Sequence, residues 1–239
     1  FRRAGLLLAC LLLGGALSLY PAIRYDYYKI DPKTDPLFVG TATGQSDDHF
    51  SPKFAALYWL SDTVGLFANY AEGFKAPAPS QVNNGFANPL QNYRSISNPD
   101  LKPESSQTVE LGLRLRGTDW QAAVTGFKGW YDDFIEQVLV SGNFTAANPA
   151  TYQYVNLNKV TIRGLEAKVN WDVGQGVGLI GGAAYAKGNQ ETAGVKRPLD
   201  SIDPVKVTLG VSWEEPEEGR FAGDISAVYS AKKSAGRIG

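Results

Sequence analysis

Apolar and polar residues alternate one by one along several stretches of the chain. In residues 108–116, four aliphatic side chains fall on one face of an extended strand, and two arginines and a glutamate fall on the other. Residues 164–171, 205–213 and 221–229 repeat this pattern. Because successive side chains point to opposite faces of a β-strand, the alternation predicts strands with one apolar and one polar face.

Further apolar and aromatic stretches bring the prediction to about nine strands, and each is close to the roughly 9–11 residues that a tilted strand needs to cross a bilayer. These additional strands are predicted at residues 19–30, 52–60, 64–74, 120–134 and 177–188. The connections between strands alternate in length. The long ones are residues 31–51, 75–104, 136–159 and 189–203, and the short ones are 61–63, 117–118, 174–176 and 216–219.

An antiparallel meander places every second connection on the same side of its sheet. Long loops on one side and tight turns on the other are typical of outer-membrane β-barrels. We therefore predict an all-β fold, an antiparallel meander that forms part of a transmembrane β-barrel. About nine strands cannot close a wide barrel, and lipid does not tolerate unpaired strand edges, so the sequence also predicts that the barrel is truncated.

The charges and tryptophans favour a membrane barrel over a soluble β-rich binding domain, which would also show alternation. The polar faces carry full charges, as a wet interior allows. Tryptophans near strand ends match the aromatic girdles at the two membrane–water interfaces. Trp59, Trp120, Trp171 and Trp213 lie beside the predicted short turns, and Trp130 lies toward the long-loop side. A requirement for detergent in purification would separate the two alternatives.

Composition excludes several function classes. The formal net charge is −1, from 23 basic and 24 acidic residues, so no basic surplus points to nucleic acid. Cys10 is the only cysteine, so an internal disulfide is impossible. The single histidine, His49, has no nucleophile motif around it. We expect neither an enzyme nor a prosthetic group.

The first eighteen residues differ from the rest of the chain. Two arginines, an apolar run and small residues resemble a signal peptide. The favoured alternative is a misread start joined to a real strand at Leu19, because no plausible mature N-terminus intervenes. We therefore divide the chain into a signal-like or misread segment, 1–18, and a barrel portion, 19–239. The absence of methionine suggests a fragment or an incomplete gene product.

Two sequence boxes flank one long connection. YAEGFKAP spans residues 70–77, and NPDLKPESS spans residues 98–106. Proline cannot donate to a strand ladder and fixes its own φ, so both boxes predict loop shaping. The residues assigned this role are Phe74, Lys75, Ala76, Pro77, Asn98, Pro99, Asp100 and Leu101.

Together, the two boxes resemble those of TonB-dependent outer-membrane receptors, and residues 50–53 and 163–167 add further matches. The resemblance implies a barrel in the bacterial outer membrane, in contact with its lipid and filled by an N-terminal plug. It also implies extracellular loops that catch a ligand, and coupling to the TonB energy-transducing complex through an N-terminal part that this chain does not show. The boxes are most similar to those of haem and haemoglobin receptors. The expected ligand is therefore haem, free or on a carrier protein.

In that subfamily a histidine between the boxes typically binds the haem iron, but residues 78–97 contain none. Tyr93 is the best substitute, because a phenolate can ligate ferric haem and a nearby cation such as Arg94 would favour the ionised form. Phe86 is a candidate for packing on the porphyrin face, and His49 is a weaker candidate ligand in the preceding loop. A ferric-siderophore receptor and a non-functional truncated remnant stay open as alternatives.

Overall fold

The computed structural model describes residues 2–7, 11–13, 15–33, 42–192, 194–199, 201–216 and 219–232. The described part contains fourteen strands and one short helix. The strands are β1 Arg2–Leu7, β2 Leu11–Leu13, β3 Leu17–Ile30, β4 Gln45–Trp59, β5 Val64–Lys75, β6 Phe86–Asn88, β7 Tyr93–Ile96, β8 Glu104–Arg116, β9 Trp120–Ser141, β10 Ala150–Gly174, β11 Val177–Thr192, β12 Val195–Pro198, β13 Lys206–Glu214 and β14 Ala222–Ser230; the helix is α1 Pro79–Val82.

The long strands form one antiparallel meander. Its order is β1-β3-β4-β5-β8-β9-β10-β11-β13-β14, with β2, β6, β7 and β12 attached beside it. No pairing joins β1 to β14 among the described strands, so the sheet is not closed. The predicted all-β meander is thus confirmed. No helix in the described ranges is long and apolar enough to cross a bilayer.

All nine predicted strands are present, but several extend beyond their predicted ends. The connection predicted at 136–159 is wrong for most of its length, because β9 continues to Ser141 and β10 begins at Ala150. The connection predicted at 31–51 is also shorter, because β4 begins at Gln45. The division into residues 1–18 and 19–239 stays a prediction, although the backbones of β1 and β2 pair with β3.

The sheet has one apolar and one polar face, as the alternation predicts. Directly paired residues form apolar rows from strand to strand, so each row continues through the hydrogen-bonded register. One such row runs Leu66, Leu113, Val124, Ala167, Ala183 and Val207, and a second runs Trp120, Trp171, Leu179 and Val211. The alternate positions carry Glu110, Arg114, Glu166, Lys168 and Lys206 on the other face.

The position of Trp59 differs from the expected aromatic girdle. The guanidinium carbon of Arg116 lies 3.8 Å from the centre of the Trp59 ring. A Cβ added to Gly65, which pairs with Trp59, would lie 3.1 Å from that ring. Trp59 therefore packs on the charged face, where a cation can sit over its π-system. Its neighbour Tyr58 takes the apolar face instead.

Short turns close the meander at the end opposite the long connections. Between β10 and β11 the turn residues Gln175 and Gly176 have φ of 56° and 75°. Positive φ at both central positions is the geometry of the two-residue hairpin turn whose twist matches that of the strands. A Cβ on Gly176 would lie 1.8 Å from the Glu214 carbonyl oxygen, so a side chain at this position would clash with the backbone of the next strand.

The buried core lies at the long-connection end of the sheet. One cluster joins Tyr28, Ile30, Val82, Leu101 and Ile135. A second joins Leu157, Val160 and Leu199. Both clusters contain residues from the upper parts of long strands together with residues of the connections. The connections are thereby packed onto the strand ends.

Candidate functional site

The two sequence boxes meet in the first of these clusters. Leu101 of the second box is 2% exposed and packs with Val82 and Ile135, while Phe74 and Ala76 of the first box pack against the same cluster. Pro77 is also buried, directly after β5 ends at Lys75. The long connection between β5 and β8 therefore has an apolar base.

Asn98 holds the second box against the neighbouring elements. Its backbone N–H donates to the Val82 carbonyl at 3.0 Å, and its Nδ2 donates to the Tyr154 carbonyl at 2.8 Å. The Asp100 N–H donates to Asn98 Oδ1 at 3.2 Å, which closes an Asx-type turn around Pro99. Asn98 thus ties α1, the box and β10 together through its backbone N–H and its side-chain amide.

An ion pair joins the end of one box to the end of the other. Lys75 Nζ lies 2.9 Å from Glu104 Oε1, and the Glu104 side chain is buried. The Ile135 N–H donates to the same oxygen at 3.0 Å. Glu104 therefore links β5, β8 and β9 at the level where the long connection leaves the sheet. Lys75 is largely exposed, so the backbone N–H is the buried partner of this carboxylate.

A tyrosine on β3 reaches the same region. Tyr28 donates to Gln45 Oε1 at 2.7 Å, and Gln45 Nε2 donates to the Leu101 carbonyl at 3.2 Å. Burial, with a smaller contribution from the Asp47 charge, raises the pKa of Tyr28 above its usual value near 10. A phenol is already protonated at neutral pH, so the raised pKa extends the donor role of Tyr28 to higher pH.

Tyr93 is presented by a small hairpin rather than by a free loop. β6 and β7 pair antiparallel, and β7 adds to β10 in parallel with Tyr93 opposite Ala150. The Ala150 N–H also donates to the Asn92 carbonyl at 2.9 Å, where Asn92 has a φ of 52°. Backbone hydrogen bonds on both edges thus fix where Tyr93 lies.

Aromatic rings surround Tyr93. Its ring centre lies 5.9 Å from that of Phe86 and 6.4 Å from that of Tyr152, the latter edge-on. Phe144 lies 6.3 Å from Tyr152. These spacings are those of interacting aromatic pairs. A cavity of about 500 Å³ opens beside them, lined by Gln91, Tyr93, Ser95, Gln137, Phe144 and Tyr152. This volume falls within the range of about 300–1,000 Å³ typical of small-molecule sites.

Arg94 does not accompany the phenol of Tyr93. It is the next residue on β7, and adjacent residues of a strand point to opposite faces. Its Nε donates to Thr151 Oγ1 at 3.0 Å, whereas Tyr93 contacts Tyr152, the residue after Thr151. The guanidinium and the phenol thus face different sides of the sheet, and the expected electrostatic support of Tyr93 by Arg94 is absent.

His49 lies on β4 and not in a loop, which corrects its expected location. It is paired with Asp26 of β3, and its ring stacks on Phe74 at 5.1 Å with an interplanar angle of 9°. Among the described residues, His49 does not line the cavity beside Tyr93. Its observed role is to pack on the first sequence box.

Sequence reasoning missed Tyr152, Phe144 and Gln137 as cavity residues. All three fall in the stretch that was predicted to be a loop, where no strand register relates one residue to another. The available signal in the sequence was the aromatic pair Tyr152 and Tyr154, because residues two apart lie on the same face of a strand. No cluster of three or more potential metal-binding His, Cys, Asp or Glu residues occurs in the described part of the chain.

A family model described as TonB dependent receptor-like, beta-barrel matches residues 11–237. The chain belongs to this family. Its strands are therefore barrel strands of the bacterial outer membrane, with the apolar face toward lipid and the charged face toward the barrel interior. The predicted membrane location is thus confirmed.

The matched relatives are receptors and transporters. The chain is 26% identical over 258 residues to the hemoglobin-haptoglobin utilization protein B of Neisseria meningitidis serogroup C, which covers 95% of this chain and 32% of that protein. It is 27% identical over 208 residues to the ferrienterobactin receptor of Escherichia coli K12, covering 83% and 26%. The solved structure of a double mutant of the Serratia marcescens hemophore receptor HasR, in complex with HasA and heme, matches with a TM-score of 0.68 at 15% identity, covering 91% and 42%. This chain spans about a third or less of the length of these curated relatives.

Proposed function

We propose that this chain is the ligand-binding barrel portion of a receptor that takes up haem as an iron source. The aromatic cavity beside Tyr93 carries the proposal. Its rings match the flat apolar faces of a porphyrin, and its volume of about 500 Å³ accepts a small-molecule ligand. The names of two matched proteins, a hemoglobin-haptoglobin utilization protein and a hemophore receptor, support the same ligand class.

Tyr93 is the proposed iron ligand within this cavity. A phenolate oxygen is an established axial ligand of ferric haem, so a tyrosine can replace the histidine that residues 78–97 lack. Phe86 is 52% exposed and packs beside Tyr93, which leaves ring surface for a porphyrin. Arg94, on the opposite face of β7, is available for a haem propionate or for a carrier protein, but not for Tyr93 itself.

The test is a set of three phenol deletions in the whole receptor, expressed from its complete gene. Tyr93→Phe keeps the ring and removes the oxygen, so we expect a shifted Soret band and an affinity for haem weaker by about tenfold or more, equivalent to about 1.4 kcal/mol. Tyr58→Phe, on the apolar face of β4, is the matched control and leaves both unchanged. An unaltered spectrum and affinity in Tyr93→Phe would remove Tyr93 as the ligand. A loss confined to Tyr152→Phe would transfer the role to Tyr152.

A ferric siderophore is the second candidate ligand. The specific observation in its favour is the match to the ferrienterobactin receptor of Escherichia coli at 27% identity. The same aromatic cavity can stack catechol rings. Growth of an iron-limited strain that carries the whole receptor as its only uptake route, fed either haem or ferric enterobactin, separates the two ligands. Growth on the siderophore alone would refute the haem proposal.

Uptake through such a barrel needs energy, and the family name implies that the TonB complex supplies it. We propose this partnership for the whole receptor, through a part of the protein outside the present chain. Binding without transport in a strain that lacks TonB, with normal transport in the parent strain, is the expected outcome. Equal transport in both strains would contradict the proposal.

A further inference from the structure

Three cations lie side by side on the lipid face of the sheet. Lys128 of β9 pairs directly with Arg163 of β10, and Arg163 pairs directly with Lys187 of β11. Directly opposed residues of antiparallel strands have Cβ atoms about 4.5–5.5 Å apart, so the three side chains form one lateral row. All three are exposed. Their strands present apolar residues to lipid below this row.

The height of this row brings its side chains within reach of the outer edge of the bilayer. Lys128 and Arg163 lie eight residues along their strands from Trp120 and Trp171, which mark the short-turn side. Eight residues rise about 26 Å along a strand, and a tilt of roughly 35–45° reduces this to about 20 Å of height. The apolar band of such barrels is about 25 Å tall. By this estimate the backbone of the row lies about 5 Å below the outer edge of the apolar band, just below Trp130 on the same face. The long Lys and Arg side chains extend from there to the outer headgroups.

A depression lies directly beneath the cations. Gly126 pairs with Leu111 on one side and with Leu165 on the other, so the missing side chain leaves a gap in the apolar surface. The depression measures about 510 Å³, and the apolar side chains Leu111 and Leu165 and the ring of Tyr185 line it. Its upper rim is formed by the three cations. An apolar gap below a cationic rim has the shape and charge of a site for an amphiphile.

The charges of the row are not neutralised within the described structure. Lys128 lies 4.6 Å from the centre of the Trp130 ring, and Lys187 lies 5.8 Å from that of Tyr185. These ring contacts orient the ammonium groups without cancelling their charge. None of the ion pairs among the described residues includes any of the three cations. Three adjacent positive charges repel one another, so an anion between them would stabilise the row.

We propose that this surface binds a phosphorylated lipid of the outer leaflet. Its phosphate groups lie between Lys128, Arg163 and Lys187, and one of its acyl chains fills the depression over Gly126. Charge complementarity decides the headgroup, since Arg and Lys are the usual partners of phosphate. The acyl chain is inferred from the apolar depression directly below the cations, which excludes a polar group. The site lies outside the barrel, on the face opposite the charged interior, and is independent of which ligand the receptor takes up.

The test uses the whole receptor in nanodiscs of zwitterionic phospholipid titrated with bis-phosphorylated lipid A. The triple variant Lys128→Gln, Arg163→Gln, Lys187→Gln removes the row. Native mass spectrometry of the released receptor counts retained lipid A. The matched control is Lys168→Gln, on β10 but on the interior face. We expect the triple variant to retain lipid A about tenfold more weakly and the control to behave like the parent, since each cation at a membrane surface contributes appreciably to binding an anionic headgroup.

Two further measurements locate the phosphate and the acyl chain. Dephosphorylated lipid A binds parent and triple variant equally if phosphate is the recognised group. Gly126→Leu fills the depression and weakens retention while the cations remain. Equal retention of lipid A by parent and triple variant would overturn the proposal. So would retention that is insensitive to phosphate removal, because the cations would then be ordinary interfacial residues.

Discussion

Shortening Leu101 tests whether the apolar base of the long connection determines its order. Leu101 is 2% exposed and packs in a cluster with Tyr28, Ile30, Val82 and Ile135. Leu101→Ala removes three carbon atoms from this cluster and leaves a cavity, because the strand ends around it cannot collapse freely. Buried Leu→Ala changes cost about 2–5 kcal/mol. The cost falls on the connection between β5 and β8, since the membrane strands make their contacts elsewhere.

Leu90 offers a matched control within the same connection. It is 96% exposed, so Leu90→Ala changes the same side chain with almost no loss of packing. Hydrogen exchange of the whole receptor in detergent is the assay. The informative amides are those of Asn98 and Leu101, which donate to the Val82 and Asn98 carbonyls. A local loss of 2 kcal/mol lowers their protection by about 30-fold.

The expected result is faster exchange of these amides in Leu101→Ala, unchanged exchange in Leu90→Ala, and unchanged protection of the barrel strands in both. Equal effects of the two variants would refute the conclusion that burial of Leu101 orders the connection. A uniform loss of protection across the barrel would show instead that the cluster stabilises the whole sheet.

Two further variants test other parts of the structure. Glu104→Ala leaves the Ile135 N–H without its carboxylate acceptor, so we expect about 1–3 kcal/mol of destabilisation in urea unfolding followed by tryptophan fluorescence. An unchanged midpoint would contradict this role of Glu104. Gly176→Ala should cost at least about 1 kcal/mol more than Gly174→Ala, since both glycines have positive φ but only Gly176 would bring a Cβ against a carbonyl oxygen. Equal costs would show that the turn can relax.

The membrane part of the fold could be predicted because one face of each strand there contacts lipid and the other contacts the aqueous interior of the barrel. Leu111 and Leu165 face lipid while Glu110 and Glu166 face the interior, so the sequence must alternate along the whole crossing. Above the membrane this constraint ends. In residues 135–141 and 150–157 both faces of β9 and β10 carry mixed side chains, and the sequence shows no period that distinguishes a strand from a loop. The long extension of these strands was therefore missed.

Local composition also could not reveal which neighbours a residue acquires. His49 reads as a loop residue beside two aspartates, yet it is held in β4 by pairing with Asp26. Trp59 reads as a girdle residue, but the register of its strand places it on the charged face, where the Arg116 guanidinium lies over its ring. Tyr93 and Arg94 read as partners because they are adjacent in the sequence. Adjacent residues of a strand point to opposite faces, so this same adjacency separates their side chains.

The extension of β9 and β10 changes what kind of site the cavity is. Tyr152 belongs to the same continuous strand as Trp171 at the opposite side of the membrane, and Tyr93 is held on that strand by parallel pairing. Gln153 Nε2 also donates to the Ser97 carbonyl at 2.9 Å, which adds a side-chain tie across 56 residues of sequence. Sites built on strands keep their geometry better than sites on loops. Four cavity residues, Tyr93, Ser95, Gln137 and Tyr152, are therefore fixed to the barrel wall by strand pairing, whereas Gln91 and Phe144 come from connections, which hold their geometry less well.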